Sequence, residues 1–286
     1  MIKTRIFPDK NYKATFINGK TMRFAIDPEK PILDLDYPEF YDVKITGKCS
    51  GKCDFCYQDS KEGDYHYKNV VEKINKFFGA MDENQRPFQV AIGGGEPTSH
   101  PDFKNILKAF YKLGIMPNYT TNGMWIEESM MQVLNATGRY CGGVAVSCHS
   151  HLENYWRESA KLYADNGIML NFHHIISDRD SIDEFCKIYH EWKHKVDYFV
   201  LLPYTAKGRA KHKEIDWQYL IDNLPRNMSK LAFGANFHPY LEKTPDMDVI
   251  LYEPEIMSKF ITMEGSGKMY KSSFENKLVK EGFLIC

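Results

Sequence analysis

The densest chemistry in this 286-residue chain is the stretch Thr46-Gly47-Lys48-Cys49-Ser50-Gly51-Lys52-Cys53-Asp54-Phe55-Cys56-Tyr57, which sets three thiols close together in one short loop. Three cysteines are one short of the four ligands that close a structural zinc site. Such a trio needs a distant fourth ligand, or it leaves one metal position open on purpose. An iron–sulfur cluster with one iron free of thiolate fits the second case, because that iron can bind and activate a small molecule.

A second candidate is Gly93-Gly94-Gly95-Glu96-Pro97, directly after an apolar run. Glycine has no Cβ, so this loop can press against a ligand and offer it backbone carbonyl and N–H groups. The plain alternative is a turn between a strand and a helix, with Pro97 opening the next element.

Taken together, Cys49-x3-Cys53-x2-Cys56, the aromatic Phe55 before the last cysteine and the Gly94-Gly95-Glu96-Pro97 segment resemble the signatures of the radical S-adenosylmethionine (radical SAM) enzymes, over about residues 40–215. The resemblance implies a [4Fe-4S] cluster on Cys49, Cys53 and Cys56 and S-adenosylmethionine as second cofactor. One-electron cleavage then yields a 5′-deoxyadenosyl radical that takes a hydrogen atom from the substrate.

By residue match, Gly94, Gly95 and Glu96 hold the methionyl ammonium, and Phe55 and Tyr57 lie near the adenine; Tyr57 reads equally well as an aromatic plug under the loop. Ser147 resembles the family's ribose- or carboxylate-contacting serine, or is an exposed hydroxyl at a strand end. Arg209, in Gly208-Arg209-Ala210, could pair with the methionyl carboxylate through its planar fork, although Lys207 to Lys213 also reads as a solvated basic run. Asn122 belongs with the cofactor-binding set. Cys148, one residue past Ser147, could donate a hydrogen atom to a substrate radical as in some relatives; more often a free cysteine is a small buried hydrophobe. His149 and His151 suggest substrate contact or no role. Asn171 and His173, alternate residues of one strand, could line the adenosine pocket, and His174 must then point the other way.

The elements that must position these residues follow a βα rhythm. Strands are expected at Phe40–Ile45, Phe88–Ile92, Met116–Thr120, Gly143–Ser147, Met169–Ile175 and Tyr198–Leu202. Helices are expected near Asn69–Met81, Asp102–Leu113, Glu127–Asn135, Asn154–Asn166 and Ile182–Lys193, with Gly114 and Gly167 as C-caps. Six such units give an α/β fold, a partial (β/α)6 TIM-like barrel. Its catalytic loops gather at the C-terminal strand ends, which brings the cysteine loop, the glycine loop, Thr121-Asn122-Gly123 and Ser147-Cys148-His149 to one rim.

Flanking segments are expected at both ends: an N-terminal β-hairpin and linker over 1–38, turning at Asn18-Gly19, and a C-terminal extension over 226–286 after the barrel at 39–225. The extension resembles the opening of a cysteine-rich auxiliary-cluster domain, with Gly267 to Phe274 as its hairpin, but holds only Cys286, so no auxiliary cluster is expected.

Lys+Arg total 37 against Asp+Glu 38, so no net basic field supports nucleic-acid binding. No apolar run approaches the roughly 20 residues of a membrane span. Seven cysteines, three of them in one loop, argue for a reducing compartment, the cytoplasm. The expected partners are a low-potential electron donor such as flavodoxin or ferredoxin and a substrate. That substrate is a peptide or protein side chain, alternatively a small metabolite or nucleotide derivative. A reading from another class is a non-catalytic metal protein that binds a partner through the rim.

Overall fold

The computed structural model describes residues 1–17, 19–33, 35–125, 129–224, 228–234, 237, 240, 260–264, 269–270 and 278–280. Asn18 and the start of the expected third helix lie outside these residues, as do Gly267, most of the expected C-terminal hairpin and Cys286.

In chain order the strands and helices are β1 (Ile2–Phe7), β2 (Tyr12–Ile17), β3 (Lys20–Ala25), β4 (Phe40–Thr46), α1 (Val70–Gly79), β5 (Gln89–Gly94), α2 (Phe103–Lys112), β6 (Met116–Thr121), α3 (Met130–Tyr140), β7 (Gly143–Ser147), α4 (Glu153–Asp165), β8 (Leu170–Ile176), α5 (Arg179–Trp192), β9 (Tyr198–Pro203), α6 (Trp217–Asp222), β10 (Leu231–Phe233), β11 (Phe260–Glu264), β12 (Met269–Tyr270) and β13 (Leu278–Lys280). The larger sheet runs β10-β9-β8-β7-β6-β5-β4-β11-β12-β13, parallel from β10 through β11. It is the expected partial barrel, and no strand pairing closes it among the described residues. The parallel edges are wider than expected. β10 and β11, both from the stretch expected as a C-terminal extension, pair with β9 and β4.

Each inner strand is apolar on the side that meets the helices. On β4 these residues are Tyr41, Val43 and Ile45, and Tyr41 meets Phe77 and Phe78 of α1 edge-on at 6.0 and 5.2 Å. Helix α2 returns Phe103, Ile106, Leu107 and Phe110, one face at helical spacing. The Tyr119 hydroxyl that this packing buries finds partners: it lies 2.8 Å from Thr137 Oγ1 and 2.7 Å from the Tyr163 hydroxyl.

The opposite, inner face carries the alternate residues. It is unusually polar, with Asp42, Lys44, Gln89, Asn118, Thr120, Ser147, Asn171 and His173, and is relieved by the small Ala91, Gly93, Gly143 and Ala145. Gly114 and Gly167 take φ of +70° and +66° where α2 and α4 end, as the C-cap reading requires.

The N-terminal element is a three-stranded antiparallel sheet, β1-β2-β3. The expected hairpin gains β1, which packs inward through Arg5, a residue type that hides the strand's alternation. Arg5 is buried, lies over the Phe88 ring at 5.1 Å and donates from Nη2 to the Arg86 carbonyl. Phe16 stacks on Phe88 at 5.7 Å, and Arg23 pairs with the buried Glu39 at 2.6 Å just before β4. The sheet thus seals the end of the barrel opposite the catalytic rim.

Candidate active site

The cysteine loop leaves β4 at Thr46 and is fixed from three directions. Its own return segment supplies two hydrogen bonds, from Gly47 N–H to the Tyr65 carbonyl at 3.0 Å and from Cys49 N–H to the Lys61 carbonyl at 2.9 Å. The glycine loop after β5 supplies two: Gly95 N–H donates to the Thr46 carbonyl at 2.8 Å and Glu96 N–H to the Lys48 carbonyl at 2.9 Å. A Cβ on Gly95 would come within 2.1 Å of the Lys48 carbonyl oxygen, and one on Gly94, whose φ is +113°, within 2.1 Å of the Thr46 carbonyl oxygen. These glycines are therefore required by close approach to the cysteine loop itself, a constraint separate from any ligand.

The third fixing point comes from after β9. Arg209 N–H donates to the Cys56 carbonyl at 2.9 Å, its Nε to the Cys53 carbonyl at 3.1 Å, and its Nη1 pairs with Asp59 at 3.4 Å. The guanidinium expected on the methionyl carboxylate is thus engaged with the loop that carries the thiols. Its fork is turned to that loop because Gly208-Arg209 runs directly beneath Cys56.

Glu96 is buried and turned inward. Oε1 accepts from Thr98 N–H (3.1 Å), Thr98 Oγ1 (2.6 Å) and Thr121 Oγ1 (2.8 Å), and Oε2 accepts from Asn122 N–H (2.8 Å). Burial pushes its pKa up, and these four donors counter the shift. The carboxylate ties the β5 loop, with Gly94 and Gly95, to the β6 loop. Asn122, nearly buried, accepts Met124 N–H on Oδ1 at 2.9 Å and points Nδ2 at Cys49 Sγ, 3.5 Å away.

Phe55 lies edge-on to His149 at 4.9 Å and to His151 at 5.9 Å, and His151 Nε2 donates to the Gly51 carbonyl at 2.9 Å. The β7 loop therefore clamps the cysteine loop through two histidines whose role no local pattern reveals, since the contact spans about a hundred residues. Burial, with help from His151, His174 and His173, pushes His149 down to about 3, so it is neutral at ordinary pH. Tyr57 accepts from Gln58 Nε2 at 2.7 Å.

Ser147 and His173 are Cα partners on the inner face. His173 keeps some accessible surface, yet burial brings its pKa down to about 4, the combination expected of a side chain lining an enclosed space. Asn171 shares that face, and its buried Oδ1 has no hydrogen-bond partner among the described residues. His174 points to the helices as expected, donating from Nε2 to the Ser181 carbonyl at 2.8 Å.

Cys148 is the correction. Strand alternation carried one residue past Ser147 turns its thiol to the side of Val144 and Val146, where it is 3% exposed among core residues, with Sγ 3.8 Å from the Val146 carbonyl. It faces the helix side of the sheet, away from the inner face that carries Ser147.

Among the described residues no three His, Cys, Asp or Glu side chains gather tightly enough to hold a single ion. A cubane cluster takes each thiolate on a different iron, so its ligands need not converge. The donor set fits such a group. Cys49 Sγ receives two N–H groups, from Gly51 at 3.4 Å and from Asn122. Burial pushes Cys49 up and Cys53 to about 12, the latter helped by its neighbour thiols. Such thiols stay protonated until a cation arrives to hold them as thiolates.

An open parallel half barrel with a three-thiol loop and a backbone cradle on its C-terminal rim defines an iron–sulfur enzyme of the half-barrel class. Residues 43–199 match the family model of the Radical SAM superfamily. The chain belongs to that superfamily, whose members are enzymes that bind a [4Fe-4S] cluster and S-adenosylmethionine.

Among solved structures, Streptococcus suis SuiB bound to S-adenosylmethionine superposes with a TM-score of 0.63 at 18% identity, over 85% of this chain and 63% of SuiB. Native anSMEcpe with bound AdoMet and Cp18Cys peptide gives 0.59 at 14% identity, over 84% of this chain and 75% of that one. At these identities the likeness is one of fold. A curated relative, the tungsten-containing aldehyde ferredoxin oxidoreductase cofactor-modifying protein of Pyrococcus furiosus, is 27% identical over 103 residues, 34% of this chain and 27% of that protein. The chain thus spans less than two thirds of SuiB and about a quarter of the Pyrococcus protein. No described helix is long and apolar enough to cross a membrane.

Proposed function

We propose that this protein cleaves S-adenosylmethionine reductively and acts on a peptide or protein side chain. The observation that carries the reading is the double backbone bond from Gly95 and Glu96 to Thr46 and Lys48, which fixes a ligand cradle directly against the three-thiol loop. Cys49, Cys53 and Cys56 hold the cluster, which when bound supplies the electron for cleavage. Gly94 and Gly95 present backbone groups to the methionyl end. Phe55, Tyr57, Ser147, Asn171 and His173 border the nucleoside side. Arg209 and Glu96 hold the loops in register.

The peptide reading is supported by the fold shared with SuiB and anSMEcpe, which were solved with peptides bound. The polar inner face, with Asn171 Oδ1 unpartnered among the described residues, favours a second reading, a small hydrogen-bonding metabolite. Residues 39–225 form the radical-generating unit in either case, flavodoxin- or ferredoxin-type proteins supply the electron, and the reducing cytoplasm suits the thiols. Anaerobic reconstitution with iron and sulfide, followed by dithionite and S-adenosylmethionine, tests the proposal. A brown protein that releases 5′-deoxyadenosine is expected, and a colourless zinc protein that releases none overturns it.

A further inference from the structure

Cys49 differs from the other two cysteines in what meets its sulfur. Asn122 Nδ2 lies 3.5 Å from it and Gly51 N–H 3.4 Å, and the asparagine is held from both ends. Its backbone N–H is bound by Glu96 Oε2 at 2.8 Å, and its Oδ1 is occupied by Met124 N–H at 2.9 Å. The second bond fixes the amide's orientation, because a carbonyl oxygen and not an amine must face a backbone donor. The amine is thereby turned to the sulfur. Space for it exists only because residue 51 is glycine: a Cβ there would stand 2.9 Å from Asn122 Nδ2 and 3.4 Å from Cys49 Sγ.

We propose, building on the cluster assignment above, that Asn122 is a positioning residue that sets the reduction potential of the cluster through an N–H···S bond to Cys49. Glu96 places it, so the glycine loop and the cluster ligand are mechanically joined. A donor on a ligand sulfur stabilises the more negative, reduced cluster and raises its potential. Cluster reduction and the setting of the cofactor loop thus share one side chain.

The test uses the full chain, reconstituted anaerobically, with midpoint potentials read from the EPR signal of the reduced cluster. Asn122→Asp is nearly isosteric and keeps an acceptor for Met124 while removing the donor. Its added negative charge also lowers the potential, so Gly51→Ala, which changes no charge, isolates the donor's share. A three- to tenfold fall in the reduced-to-oxidised ratio at fixed potential is expected, tenfold corresponding to about 59 mV for one electron. Gly51→Ala leaves Asn122 in the chain but crowds its amine off the sulfur, so it should shift the ratio the same way. In wild-type protein labelled with side-chain 15N-asparagine, pulsed EPR should show a weak nitrogen coupling that Asn122→Asp abolishes.

An unshifted midpoint in Gly51→Ala at wild-type iron content, or no nitrogen coupling in the wild type, overturns the inference while leaving the cluster assignment standing. A wild-type protein that takes up no cluster overturns both.

Discussion

Arg209 Nε donates to the Cys53 carbonyl at 3.1 Å, joining two residues 156 positions apart. The arginine is half-buried between the last βα loop and the first, and it meets backbone carbonyls within the three-cysteine triplet itself. Hydrogen bonds from a charged donor are worth about 1.5–3 kcal/mol each. Arg209→Ala should leave the fold intact, since the helices and strands do not depend on this loop, but should release iron to a chelator several times faster. Arg209→Lys should behave almost as badly, because a single ammonium cannot reproduce the fork. Chelator-release kinetics followed at the cluster's visible absorbance decide it; wild-type rates in both variants would refute the role.

Glu96→Gln removes the charge from a carboxylate that accepts four hydrogen bonds. Whichever way the amide turns, its NH2 faces a donor, and a buried unmet polar group costs about 1–3 kcal/mol. Thermal unfolding should fall by a few degrees. S-adenosylmethionine binding, measured by calorimetry, should weaken about tenfold because the glycine loop loses its anchor to the β6 loop. Undiminished affinity would show that the carboxylate does not set that loop.

Cys148→Ala removes a thiol from the helix-facing core. A loss of about 1 kcal/mol is expected from the small cavity, visible as a lower urea midpoint. The yield of 5′-deoxyadenosine should stay within twofold of wild type. A variant that folds and binds its cluster but no longer cleaves the cofactor would place the thiol back at the reaction.

Asp178 caps α5: its Oδ1 accepts Ser181 N–H at 2.9 Å while Ser181 Oγ accepts Asp178 N–H at 3.1 Å. Burial works to raise its pKa, but Lys213 at 2.5 Å, Ser181 and Ser177 prevail and hold it near 2. A carboxyl with a depressed folded pKa stabilises the protein above the unfolded value, near 4, and loses that contribution as pH falls toward 2. The stability gap between wild type and Asp178→Ala should therefore be constant from pH 5 to 8, at about 1 kcal/mol as for other caps, and shrink below pH 4. Urea unfolding at a series of pH values measures it; a gap that widens on acidification would contradict the assignment.

Much of this architecture is legible from local pattern. The six inner strands declare themselves through apolar alternation, and Gly114 and Gly167 mark helix ends because few other residues accept positive φ. What escapes reading is non-local. β11 joins the sheet beside β4 across more than two hundred residues, and nothing within Phe260–Glu264 names that neighbour. His151 reaches Gly51, and Arg209 turns to Cys53 and Cys56, for the same reason. Cys148 is the opposite case: its alternation with Val144 and Val146 is legible in the sequence and agrees with the reading of a free cysteine as a small buried hydrophobe.

The clasp formed by Arg209 also has a bearing on biogenesis. During translation the thiol triplet leaves the ribosome 156 residues ahead of the side chain that grips it, an interval of roughly 10–30 s at ordinary elongation rates. Throughout that interval the nascent loop lacks its latch, so delivery of iron and sulfide finds a finished receptacle only once the ninth strand has emerged.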